Sequence, residues 1–179
     1  VRALLCSLCP LGFSMLLDIS TPLDQQTPVY PGDPPFVRSV DACLGADGTG
    51  YNLSSILMSA HCGTHVDAPY HFFEHGLKIH EIPVERWVSQ AIVIDVGSDA
   101  LVTERMLTGH ELHERDAVLL KANGARSANA DAGKFTALSL EAADYLVSKR
   151  IHLVGIDALS IEHYHDPVFP VHRKLLGNG

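Results

Sequence analysis

His61, His65, Asp67 and His71 fall within one short stretch, Ser59-Ala60-His61-Cys62-Gly63-Thr64-His65-Val66-Asp67-Ala68-Pro69-Tyr70-His71-Phe72. Imidazole titrates near neutral pH and ligates metals. Two imidazoles with a carboxylate suit a divalent transition ion such as Zn or Mn and leave coordination positions open for water. His61, His65 and Asp67 all occupy odd positions, which would share one face of a strand. At about 3.3 Å per residue, however, positions four apart lie roughly 13 Å apart, too far to share an ion. A helix would bring His61 and His65 together, but Gly63, β-branched Thr64 and Val66, and Pro69 oppose one. The spacing therefore predicts a bulge or bend at Gly63 that folds His61 back toward His65. His71 lies beyond Pro69, on a separate piece of backbone, where it is placed to move protons.

The remaining candidates are weaker. Cys62, on a strand, would face away from His61 and reads as buried and inert. His75 and His80 read as solvated histidines in a surface loop and at a helix start. His163 and His165 flank Tyr164 ahead of Asp166-Pro167, in a loop that either lines a pocket or is solvated. Lys121, Asn123 and Arg126 follow a strand end, where α/β folds place binding groups; a solvated loop is the plainer reading.

The elements that must position these groups alternate along the chain. Leu16 to Ser20, Phe36 to Ala42 and Tyr51 to Ala60 are strand candidates. Thr27 to Pro35 holds four Pro and one Gly and must be a rigid loop. Ala91 to Val96, Ala117 to Ala122 and Ile151 to Asp157 are short aliphatic runs of the kind found in buried strands. Thr103 to His110 and Ser139 to Arg150 are helix candidates, the second capped by Ser139 with Leu140, Ala143 and Leu146-Val147 as its apolar face. No internal repeat or dividing linker is visible, so the expectation is one α/β domain over residues 15–179. Residues 1–14, with one Arg, an apolar run and the Cys6/Cys9 pair, read as a disordered N-terminal extension without a signal-peptide cleavage site. The segment around Val171 to Leu176 begins another element just before Gly179.

Composition excludes several functions. The 179 residues are 46% hydrophobic and 19% charged, which is core-forming rather than disordered. Thirteen Lys and Arg against 21 Asp and Glu give a formal charge of -8, so no nucleic-acid partner is expected. No apolar stretch reaches a bilayer span, so no membrane partner is expected either. Four cysteines without a second CxxC at zinc-finger spacing read as free thiols in a reducing cytoplasm. Eleven histidines, five of them between His61 and His80, direct attention to the segment described above.

The pattern HxGTHxDxPxHF, met by His61, Gly63, Thr64, His65, Asp67, Pro69, His71 and Phe72, resembles the signature of the cyclase family of kynurenine formamidases and isatin hydrolases. Leu17-Asp18-Ile19-Ser20, the Pro31-Gly32-Asp33 loop, Leu153 to Asp157 with Ser160, and Pro170-Val171-His172 with Leu175-Leu176 extend the resemblance over residues 15–179. It implies a swivelling β/β/α-type fold with a mixed sheet, a homodimer, and one or two divalent ions, Zn or Mn, per chain. By the same resemblance His61, His65, Asp67 and His172 would be metal ligands, with Asp67 able to bridge two ions. His71 would be the general acid/base, and Tyr30 would lie against a substrate ring. The implied activity is metal-dependent hydrolysis of an amide-type bond in a small aromatic substrate, N-formylkynurenine first, in tryptophan catabolism. Family members also carry a ligating Glu about a dozen residues after the position of His172, beyond Gly179, so the chain reads as truncated. Two alternatives stay open: a hydrolase of isatin- or lactone-type cyclic substrates, and an inactive metal-binding scaffold lacking that carboxylate.

Overall fold

The computed structural model describes residues 17–45, 48, 50–97, 101–122, 135–164 and 166–178. The expected extension over residues 1–14, the Cys6/Cys9 pair, Asn123, Arg126 and His165 lie outside these. The chain forms two compact units, Val1–Val66 and Asp67–Gly179. Their boundary falls inside the histidine segment rather than at a linker.

In the first unit, β1 (Val37–Ala42) and β2 (Leu53–Leu57) pair antiparallel, Val37 opposite Leu57, with a register irregularity between Val40 and Ala42. Residues 17–20 form no strand, contrary to expectation. Their backbone is held by side chains instead. Ser20 N donates to Asp18 Oδ1, and the neighbouring Thr21 N donates to Thr64 Oγ1 at 2.9 Å. The Pro-rich segment is a loop as expected, with a turn at its centre. Asp33 N donates to Tyr30 O at 3.0 Å across Pro31 and Gly32, and Gly32 has φ +98°, the left-handed value that the third position of a type II turn requires.

In the second unit, β3 (Ala91–Asp95), β5 (Ala117–Lys121) and β7 (Leu153–Ile156) form a parallel sheet in the order β3-β5-β7. Between them in sequence lie β4 (Leu101–Val102), α1 (Glu104–Leu107), β6 (Ala137–Leu138) and α2 (Leu140–Ser148), with β4 and β6 paired parallel. Parallel strands carry near-continuous aliphatic runs because both faces are covered, and AVLLK over β5 is such a run, with Val118 and Leu120 buried. The α/β class expected from the sequence holds, with parallel and antiparallel pairing both present. Strands β4 and β6 have no sequence signature, because two residues carry no periodicity.

Ser139 caps α2 as expected, its Oγ accepting from Ala142 N at 3.1 Å. The buried face differs from the expected one: Ala142, Ala143 and Leu146 are buried, whereas Leu140, in the first turn, is exposed. Burying the cap turns Ala142 and Ala143 inward and leaves the first helical residue on the outside. The C-terminal element is α3 (Pro170–Leu176), which packs on α2. Pro170 starts it, where a missing N–H costs nothing. Phe169 enters it with φ +52°, a left-handed conformation uncommon for a non-glycine residue. Among the described residues no helix is long and apolar enough to cross a membrane.

Candidate metal centre

The turn that carries His61 is built by hydrogen bonds from the Pro-Gly-Asp loop. Ser59 Oγ donates to Asp33 Oδ2 at 2.7 Å, and His61 N donates to Ser59 Oγ at 3.2 Å. Cys62 N donates to Ser59 O at 3.1 Å, closing a tight turn in which the Cys62 side chain is 2% exposed. Gly63 follows with φ +71°, which ends the extended path and produces the predicted bend. The His61 and His65 rings then meet edge to face at 5.0 Å between centroids, where an extended strand would hold them roughly 13 Å apart.

His65 Nδ1 lies 2.8 Å from Gly63 O. A carbonyl oxygen only accepts, so Nδ1 carries the hydrogen and, in the neutral ring, Nε2 keeps its lone pair. That is the tautomer a metal-ligating imidazole needs, held by the backbone contact that commonly orients such ligands.

One ligand atom each from His61, His65 and Asp67 lie within 4.8 Å of one another. Two donors each about 2.1 Å from one ion are at most about 4.2 Å apart, so a side-chain adjustment of under about 1 Å closes the set. Donor chemistry, tautomer and spacing all fit a divalent ion such as Zn or Mn.

Gly63→Ala tests the bend. A left-handed φ costs a non-glycine residue about 1–2 kcal/mol, and an added Cβ would meet Leu23 Cδ2 at 2.5 Å. The expected result is a loss of that size in unfolding free energy. Metal affinity, read by chelator competition, should also fall about 10- to 100-fold as the carbonyl orienting His65 shifts. Unchanged affinity would show that Gly63 O does not orient the ligand.

His71 ends a 3-10 turn over Pro69–His71. Its N donates to Ala68 O at 2.9 Å, and Phe72 N and Phe73 N both donate to Pro69 O. Gly76 closes the loop behind it: a Cβ there would stand 2.5 Å from the Pro69 carbonyl carbon, so only glycine fits. The His71 side chain is exposed, its ring 4.6 Å from Phe72 and 6.2 Å from His172 by centroids.

His172 sits in the first turn of α3 with 8% exposure. Its Nε2 is 3.9 Å from Asp67 Oδ2, and Phe72 stacks on its ring at 4.7 Å. On its other side Nδ1 meets Glu162 Oε2 at 3.2 Å. Glu162 went unread in the sequence, where it is a lone acidic residue in a loop; no local signal shows that the loop folds back on α3.

The other sequence candidates differ in burial and in local partners. Tyr30 is half-buried at the start of its turn, and His75, His80 and His163 are exposed. Lys121 ends β5 and pairs with Asp95 of β3 at 2.6 Å. The shared hydrogen bond raises the Lys121 pKa and lowers that of Asp95, holding both charged.

Comparison with known proteins adds to the geometry. A family model described as "Putative cyclase" matches residues 17–163. The kynurenine formamidase of Bacillus cytotoxicus is 31% identical over 163 residues, covering 91% of this chain and 78% of that protein. Isatin hydrolase A from Labrenzia aggregata superposes with a TM-score of 0.80 at 24% identity, over 91% of this chain and 77% of that one. A potential metal-dependent hydrolase with cyclase activity gives a TM-score of 0.74 at 30% identity, over 89% and 75%. With its histidine bend, its α/β fold and a family match running from Leu17 to His163, this chain belongs to the cyclase family.

Proposed function

We propose that this protein is a metal-dependent hydrolase that cleaves an amide-type bond in a small aromatic substrate, with N-formylkynurenine first among candidates. The observation that carries the reading is the bend at Gly63, which gathers ligand atoms of His61, His65 and Asp67 within 4.8 Å and places the hydrogen of His65 on Nδ1. The likeness to kynurenine formamidase supports the substrate class.

A divalent ion, Zn or Mn, held by these residues would polarise a carbonyl oxygen and bring the pKa of bound water toward 7. The chain's own residues supply the rest. His71, exposed at the end of its 3-10 turn, accepts and returns a proton and delivers it to the leaving nitrogen. Asp67 offers one carboxylate oxygen toward His172 Nε2, so it can serve a second ion. Tyr30 is assigned to the aromatic ring of the substrate. A homodimer is part of the same proposal, supported by the apolar side chains that β1 and β2 leave exposed at Val40, Ile56 and Leu57.

The experiment is a comparison of kcat/KM for N-formylkynurenine, isatin and an aryl lactone with metal-loaded protein. The formamide should exceed the other two by at least about tenfold, the discrimination that roughly 1.4 kcal/mol of differential transition-state binding provides. Preference for isatin or the lactone would move the assignment to cyclic substrates. Full metal content with no turnover of any would leave a metal-binding scaffold.

A further inference from the structure

The carboxylate of Glu162 is 3% exposed, yet it lies outside the strands, and the ligand cluster found among the described residues, His61, His65 and Asp67, does not include it. A single oxygen, Oε2, accepts from Val171 N at 3.0 Å, from His172 N at 3.1 Å, and from His172 Nδ1 at 3.2 Å. An ionised carboxylate only accepts, so the hydrogen of the imidazole resides on Nδ1. In the neutral imidazole, the form that ligates metal, Nε2 is then the bare nitrogen, and it is the one 3.9 Å from Asp67 Oδ2, inside the about 4.2 Å that separates two donors to one ion. Phe72 stacked against the ring at 4.7 Å limits its rotation.

We propose that Glu162 is a positioning residue for the metal centre: it sets the tautomer and direction of His172 so that Nε2 faces the ion shared with Asp67. The inference rests on the reading of His172 as a ligand. Glu162 and Gly63 O then play the same part at two places, each taking the Nδ1 hydrogen of a histidine whose Nε2 faces metal. Outer partners of this kind raise ligand basicity and orient the ring, and their loss typically lowers metal affinity 10- to 100-fold.

A rival role is plain helix capping, since the same oxygen also holds two backbone N–H groups at the start of α3. A double-mutant cycle separates the two roles. Zinc affinity and stoichiometry are measured by chelator competition and elemental analysis on wild type, Glu162→Gln, His172→Ala and the double variant. Positioning predicts a 10- to 100-fold weaker ion in Glu162→Gln and no additional loss when His172 is already Ala. An equal loss in both backgrounds, or none in Glu162→Gln, would overturn the proposal. If His172→Ala alone binds zinc as wild type does, the ligand reading itself fails, and that outcome is distinct from the other two. A direct readout needs no variant: nitrogen-15 NMR of the His172 ring should show hydrogen on Nδ1. Finding Nδ1 without hydrogen would overturn the proposal even if Glu162→Gln does not fold.

Discussion

Replacing His65 by Ala should strip the centre of its ion and lower turnover about 10³-fold or more, while the protein still folds. The side chain is exposed, so its removal leaves no buried cavity, and surface substitutions of this kind usually shift stability by under about 0.5 kcal/mol. What is lost is one of the three groups gathered at the bend. A metal contributes several kcal/mol of transition-state charge stabilisation, and each 1.36 kcal/mol is a factor of ten in rate. Elemental analysis per chain on wild type and variant, with thermal unfolding as the control, checks the prediction. Equal metal in the two proteins would remove His65 from the centre.

The second large effect separates proton transfer from metal binding. His71→Ala should keep its ion and lose about 10²- to 10⁴-fold in turnover, the usual contribution of a positioned acid/base. His71 is exposed, and the turn that presents it is held by backbone bonds at Pro69 and by the close approach of Gly76 rather than by the imidazole itself. Turnover at the wild-type level would exclude His71 from the mechanism. Loss of metal as well would make it part of the binding set. Measured beside His65→Ala, the pair shows whether the two functions can be separated, which a hydrolase requires and a scaffold does not.

Much of the centre was legible because it is local. His61, His65 and Asp67 are joined by so few bonds that one glycine decides their separation, and glycine is the residue that reaches φ +71° without steric cost. Pro69 and Gly76 act in the same way on the turn that bears His71. The aliphatic runs of β3, β5 and β7 and the Ser139 cap of α2 were readable for a similar reason, since each is a pattern complete within a few residues. Leu140 falls on the exposed side despite its place in the apolar stripe, because helical periodicity gives the spacing of a stripe and not the rotation at which a helix docks.

The amino-acid sequence by itself determined the types of the candidate donors, the bend that gathers them, and the α/β class. Only the tertiary structure decided which residue stands behind His172. Glu162 and Val171-His172 meet because the loop after β7 doubles back onto the first turn of α3. Likewise Asp67 and His172 come together from opposite ends of the second unit. Contacts of that kind depend on how apolar surfaces pack across the whole unit, which leaves no periodic trace in the residues that finally touch. The local bend is set by dihedral sterics, and the pairing of Glu162 with His172 by the folded core that holds the two segments together.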